Sequence, residues 1–303
     1  MFHRPLLTPA AIIFWLTTTG WLVVTKILPS LNPGLPPGQQ ALYASGTKII
    51  PVAWSVLWNE RPIGWALSTA RLTDSRGLDV ESRLHFDRLP LNEMLPGWAG
   101  LFLRQLARNQ GPTTLDARGR LAIDSTGRLR AFASHVDFPG AQDGVALEGT
   151  VNDGEVAVTV KAGGLQYDAV KHLPDHVMIG DELSPQATIP GLHEGRRWTV
   201  PVYSPLRPGQ SPIEILHADV GGETTLFWED GLVRVHVVSY REDPTSGREP
   251  RCRLWVDLEG RVLKQEAALL GARMTFLRRT DDAAAWLAES GQREAAVPAA
   301  ILP

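Results

Sequence analysis

The chain has 303 residues, is 44% hydrophobic and carries a formal charge of −3. That length holds one large domain or two ordinary ones, with enough apolar side chain for a sizeable core. The charge excludes a nucleic-acid binder built on surplus cations, and a single cysteine excludes an intrachain disulfide or a multi-cysteine metal site.

The N-terminus comes first. "MFHRPLLTPAAIIFWLTTTGWLVVTK" has no charged side chain between Arg4 and Lys26, a window of 21 residues. At a rise of ~1.5 Å per residue it spans roughly 30 Å, the hydrocarbon thickness of a bilayer. Nine strongly apolar side chains between Leu6 and Val24 favour insertion by about 3 to 5 kcal/mol. Thr17 to Thr19 and Gly20 weaken this, but threonine hydroxyls bond carbonyls of the preceding turn and are tolerated in lipid. A cleaved signal fits poorly, because "LPSLNPGLPPG" follows where a small-x-small site belongs. Residues 1–28 therefore read as an uncleaved single-pass anchor meeting the bilayer through residues 6–25. A short N-terminal flank stays in the cytoplasm and the bulk of the chain lies on the periplasmic side.

Residues 29–48 open with "PSLNPGLPPGQQ", whose four prolines and two glycines make an extended spacer. The expected domain covers 49–290, and 291–303 reads as a flexible tail. Within the domain the period is two. "VAWSVLW" puts Val52, Trp54, Val56 and Trp58 on one face, "NERPIG" turns the chain, and "WALSTARL" and "LDVESRLHF" continue as strands. "LNEMLPGWAGLFLRQLARNQ" breaks the pattern, with Leu95, Trp98, Leu101, Phe102 and Leu106 at helical spacing over 95–107. Strands then return to residue 279, joined by Asn-Asp-Gly, Glu-Asp-Gly and Leu-Glu-Gly turns in which glycine supplies the positive φ. A last helix over 281–289 is expected to pack at an edge of the sheet.

Three stretches share Asp-x-x-Gly-Arg-apolar: "DARGRL" (116–121), "DSTGRL" (124–129) and "DLEGRV" (257–262). Each reads as a turn in which Asp bonds amides, Gly takes the left-handed position and Arg starts the outgoing strand. In "RCRLWVD", Cys252, Leu254 and Val256 share one face, so the cysteine reads as a small buried strand residue.

Chemistry is sparse. Of eight histidines only His172 and His176 stand at i,i+4, and Pro174 between them opposes the helix a metal pair needs. Cys252 lies mid-strand rather than at the helix N-terminus a nucleophilic thiol requires. No Gly-x-Ser-x-Gly elbow, phosphate loop or dinucleotide fingerprint occurs, so no catalytic constellation and no cofactor is expected. The tryptophans offer another route. Aromatics at this density line the inside of curved sheets, and Trp54, Trp58, Trp98 and Phe102 are the candidates to receive an apolar ligand, core packing being the plainer alternative.

"GRRWTVPVYSPL", "EILHADV", "LVRVHVV" and "CRLWVDLEGRVLKQEAALLGARMTFLRR", with "VLWNERPIGWALSTARL" as an opening hairpin, resemble an extracytoplasmic β-rich domain. Such domains precede the catalytic core of some bacterial transglutaminase-like proteins. They are similar to the half-barrel of periplasmic lipoprotein carriers, in which a curved antiparallel sheet wraps a helix. The resemblance implies fold and location over residues 50–280. It implies no active site, because the chain ends at "AAAWLAESGQREAAVPAAILP" without room for a catalytic core.

The expectation is a mainly β protein: a large curved antiparallel sheet, a half-barrel or open barrel around the 95–107 helix, behind an N-terminal transmembrane helix. Its expected role is a non-catalytic binding or scaffold module for an apolar ligand or an envelope partner. The alternative is an accessory hydrolase or transferase, whose loop-built site would bring His172, His176, His193 or His217 to Asp181 or Glu182.

Overall fold

The computed structural model describes residues 50–74, 77–88, 114–125, 128–137, 144–152, 154–162, 164–172, 178–179, 185–203, 213–269 and 272–296, with Phe14, Thr17 and Thr18. The expected anchor (those three residues apart), the 29–48 spacer, the 95–107 helix with Trp98 and Phe102, His176, Asp181 and Glu182 lie outside them. Phe14, Thr17 and Thr18 are helical, and the Thr18 hydroxyl donates to the Phe14 carbonyl. Among the described residues no helix is long and apolar enough to cross a membrane.

Two meanders build one sheet. The first runs β1 (Val52–Trp58), β2 (Arg61–Leu72), β3 (Leu78–Phe86), β4 (Leu115–Ile123), β5 (Leu129–Asp137), β6 (Val145–Asn152), β7 (Glu155–Ala162) and β8 (Leu165–His172). The second runs β9 (Met178–Ile179), β10 (Arg197–Tyr203), β11 (Ile213–Trp228), β12 (Gly231–Arg241), β13 (Cys252–Asp257), β14 (Val262–Leu269) and β15 (Ala272–Arg278). Among the described residues each strand pairs with its sequence neighbours except across β8 and β9, and β1 pairs with β15, giving 15 strands in the order β8 through β1, then β15 through β9. Every pairing is antiparallel except the short one between β9 and β10.

This order forces the sheet to curl. Laid flat, the strands between β8 and β9 would separate those edges by about 65 Å at ~4.8 Å per gap. Only residues 173–177 connect His172 to Met178, a reach of about 22 Å at most. The sheet is therefore an up-and-down barrel wall left unpaired at one seam.

The strand alternation sets the inside. Val52, Trp54, Val56 and Trp58 on β1 pack with Ala66, Leu84, Phe86, Leu115, Met274 and Phe276. A second inner cluster joins Trp198, Val200, Leu216, Val220, Val238, Tyr240, Leu254 and Val256, and Cys252 lies half-buried against it. The period-two reading of these strands and of the cysteine's face agrees with the register. At the β1–β2 turn, Asn59 and Glu60 take positive φ of 46° and 69° without a glycine.

Three local expectations change. The helix, α1 (Asp281–Ala296), runs past residue 289 and packs on a face rather than at an edge. Ala284, Leu287 and Ala288, one stripe at i, i+3, i+4, cover Ala53, Leu67 and Trp65 on the outer side of β1 and β2. Thr280 caps it, its hydroxyl accepting from the Ala283 amide at 3.2 Å, and Asp281 and Asp282 fill the first turn. Second, "DARGRL" is not a turn. Residues 116–121 run inside β4, where Leu115, Leu121 and Ile123 keep one face toward the interior and strand pairing on both sides overrides the local signal. Third, at Glu-Asp-Gly the positive φ, 53°, belongs to Glu229 rather than to the glycine.

Candidate functional site

The site lies at the end of the sheet where β11, β13 and β15 finish and β10, β12 and β14 begin. There an extended strap, residues 185–196, crosses the interior. Its backbone is stitched down: Ile189 N donates to Gly260 O at 2.7 Å, and Ala187 O accepts from Val262 N at 3.1 Å. Farther along, Gly195 N donates to Val220 O at 2.9 Å. Gln265, buried on β14, accepts the Gln186 amide at 3.0 Å through Oε1. Ile189 and Ala187 drop into the two inner clusters, one each.

The "DLEGR" turn holds the strap. Asp257 Oδ1 accepts from Glu259 N at 3.0 Å and Arg261 N at 2.8 Å, and Oδ2 accepts from Arg261 Nε at 2.7 Å. Gly260 has φ +87°, and a Cβ there would stand 2.8 Å from Ile189 O. The turn chemistry expected from sequence is met here. In the related "DSTGR" stretch, Asp124 Oδ1 accepts from Arg128 N at 3.0 Å.

Between strap and turn lies a cavity of about 70 Å³, lined by Gly191, Leu192, His236, Asp257, Leu258 and Gly260. Its distinctive group is His236, only 7% exposed and sharing the inner face of β12 with Val238 and Tyr240. A β-bulge in β11 leaves Gly221 and Gly222 outside the register, and Gly221 O lies 3.3 Å from His236 Nδ1. A carbonyl only accepts, so Nδ1 carries a proton and donates to Gly221 O. Nε2 has no hydrogen-bond partner among the described residues, on a ring that lines the cavity. A few water-sized groups fit there.

Beside it sits a buried cation. Arg278, at the end of β15, donates through Nη1 to Ala187 O at 3.3 Å and through Nη2 to Asp281 Oδ1 at 3.4 Å. Burial pulls its guanidinium below the ordinary arginine range and Asp281 opposes the shift. Nearby, Trp228 Nε1 donates to Arg278 O at 3.0 Å, and the Arg261 guanidinium stacks over the Trp228 ring at 5.6 Å.

The structure places those sequence candidates that fall among the described residues. Trp54 and Trp58 stand on the inner wall of β1, 0% and 2% exposed. His172 is exposed at the end of β8, His193 is exposed on the strap, and His217 lies on β11 opposite Arg241. Among the described residues no group of three or more His, Cys, Asp or Glu is placed to hold a metal ion. Another histidine lies between two carboxylates. On the outer face His85 Nδ1 lies 2.7 Å from Asp116 and Nε2 lies 3.2 Å from Asp87, with Trp65 stacked on the ring. Burial works against its charged form, but the bonds and charges of Asp116 and then Asp87 outweigh it and raise its pKa above 6.5.

No family model matches the chain, and neither does any curated protein. Among solved structures, a beta-barrel-like protein of the domain of unknown function DUF1849 from Brucella abortus matches at TM-score 0.44 and 9% identity. The match covers 77% of this chain and 97% of that one.

Sequence reasoning missed His236, Asp257 as a cavity wall, and Arg278. For His236 a signal existed: "LVRVHVVSY" places an imidazole where the alternation calls for an inward apolar residue. For Arg278 the parity of Met274, Phe276 and Arg278 puts a cation on the inner face. Nothing local announces the strap.

Proposed function

We propose that this protein is a membrane-anchored, extracytoplasmic binding or scaffold module that works without catalysis. The observation that carries the reading is the His236 cavity: a largely buried imidazole, held through Nδ1 by the Gly221 carbonyl, facing a small space inside a barrel-like wall. An imidazole among valines costs stability unless both nitrogens find partners, and the cavity leaves room for one to come from a ligand. The residues that line it bind rather than react. Asp257, the second ionisable side chain, is already saturated by the turn and by Arg261.

The rest of the reading rests on sequence. Residues 6–25 anchor the chain in the cell membrane as a single pass, and the spacer carries the sheet on the periplasmic side. The curved antiparallel wall is consistent with the half-barrel that the sequence resembles in lipoprotein carriers and in the domains preceding transglutaminase-like cores. Trp54 and Trp58, buried in the inner cluster, and Trp98 and Phe102 of the expected helix are the sequence's candidates for the apolar side chains that a lipid chain or an envelope protein would meet.

The test is mass spectrometry of the full chain purified from carbonate-washed membranes, with protease added to intact spheroplasts beforehand. The reading expects retention in the washed membrane, cleavage from the periplasmic side, and a co-purified lipid or envelope protein in stoichiometric amount. Release by carbonate overturns the anchor. A clean apo spectrum from both detergent and native nanodiscs overturns the binding role.

A further inference from the structure

The same end of the sheet carries a second feature. β11 and β12 extend beyond the β13–β14 turn: Val235 is paired with Asp257, and the hairpin continues outward through Trp228 and Gly231. Trp228 pins this arm through the Arg278 carbonyl and the Arg261 stack. One alternation away, Phe227 and Leu232 are directly paired across the strands and point into solvent, 69% and 73% exposed.

They have company. Antiparallel alternation from β1 to β15 places at this end the start of β1, the end of β2 and the turn after β13. Leu72, last in β2, is 60% exposed, and Leu258, in that turn, is 52% exposed. Four large apolar side chains thus ring one rim, on turns where water-facing polar residues cost nothing. The rim is also where the chain enters the sheet: Ile50 and Pro51 lead into β1, which begins at Val52.

We infer that this rim docks on the lipid surface, with Phe227 and Leu232 seated at the interface and Leu72 and Leu258 as secondary contacts. The inference rests on the anchor reading above and adds an orientation to it. On the anchor reading a bilayer is the occupant, because an anchor at residues 6–25 would hold the rim close to it. The 20 residues of 29–48 reach about 60 Å at ~3.1 Å each, long enough to let every rim turn settle. The headgroups are zwitterionic rather than anionic: Glu229 and Asp230 form the tip beside Phe227 and Leu232, and both are exposed. Trp228 ties the arm to Arg278 and Arg261, so docking orders few new side chains.

The experiment reconstitutes the full chain in phosphatidylcholine vesicles doped with a phospholipid that bears a diazirine in its acyl chain. Cross-linked peptides are mapped after irradiation. Cross-links in residues 6–25 report the anchor, and cross-links in residues 224–234 report the rim. The expected result is both, with the peptide holding Ile215 at the far end of β11 unlabelled. F227S/L232S is expected to lower the 224–234 yield at least fivefold and leave the anchor yield unchanged. Both residues are exposed, so the variant keeps the fold. Replacing a third of the lipid with phosphatidylglycerol is expected to leave the rim yield unchanged or lower it. Anchor labelling without rim labelling, equal labelling around Ile215, or a rim yield that rises with phosphatidylglycerol overturns the inference. Absence of anchor labelling overturns the reading beneath it.

Discussion

Trp54 and Arg278 stand opposite each other across β1 and β15, both on the inner face, and each keeps a buried N–H without a hydrogen-bond partner among the described residues. Trp54 Nε1 and Arg278 Nε are two unmet donors at the joint between the two meanders. An unmet buried donor costs about 1 to 3 kcal/mol. Trp54→Phe removes one, offsetting part of the volume it loses, and is expected to change stability by no more than about 1 kcal/mol. Trp58→Phe, on the same wall, has no such compensation and is expected to cost about 2 kcal/mol more. Urea unfolding of the two variants checks the order.

Arg278 leads to a second pair of variants. Removing a buried cation whole is less damaging than stranding it. Arg278→Met is expected to stay within about 1 kcal/mol of the parent. Asp281→Ala leaves the guanidinium without its carboxylate and weakens the first turn of α1, and is expected to cost about 1 to 3 kcal/mol. Equal losses in chemical denaturation would refute the account.

Gly260→Ala tests the strap. The residue sits at φ +87°, and the new Cβ would press on Ile189 O at 2.8 Å. Left-handed strain and crowding together cost at least about 2 kcal/mol. Hydrogen exchange should speed up first at the Ile189 amide, which donates to Gly260 O. Uniform exchange across the sheet would show that the strap is not a separate unit.

At the β1–β2 turn Glu60 holds φ +69°. Glu60→Gly relieves that strain and is expected to stabilise by about 0.5 to 1 kcal/mol, a gain visible in the thermal midpoint. Asn59→Gly should not help, because Asn59 Oδ1 accepts the Arg273 amide at 3.0 Å.

His85 gives the pH dependence. Its folded pKa lies above the unfolded value of 6.5, so its stabilising share is complete below 6.5 and is lost as pH rises through the raised folded value. The stability gap between the parent and His85→Gln should be widest near pH 6, at roughly the unfolded value, and close toward pH 8. Asp116→Asn should shrink the same gap. A gap constant from pH 6 to 8 would contradict the assignment.

The strands were legible in the sequence because burying one face imposes a period of two on the side chains. "VAWSVLW", "LDVESRLHF" and "CRLWVD" display it without any partner in view. "DLEGR" was legible too, since its Asp, Gly and Arg satisfy one another within five residues. The same pattern in "DARGRL" misled, because pairing with β3 and β5 decides the fate of that segment and no local signal carries it.

The sequence by itself determined periodicity, the positions of most hairpins and the inward parity of Trp54, Trp58 and Cys252. Tertiary structure alone decided that β1 meets β15, that the strap is bonded to β11 and the β13–β14 turn, and that His236 faces a cavity while Arg278 faces Trp54. The physical reason is range. A turn or an alternating strand is settled by interactions within a few residues, whereas Trp54 and Arg278 become neighbours only after every intervening strand has paired.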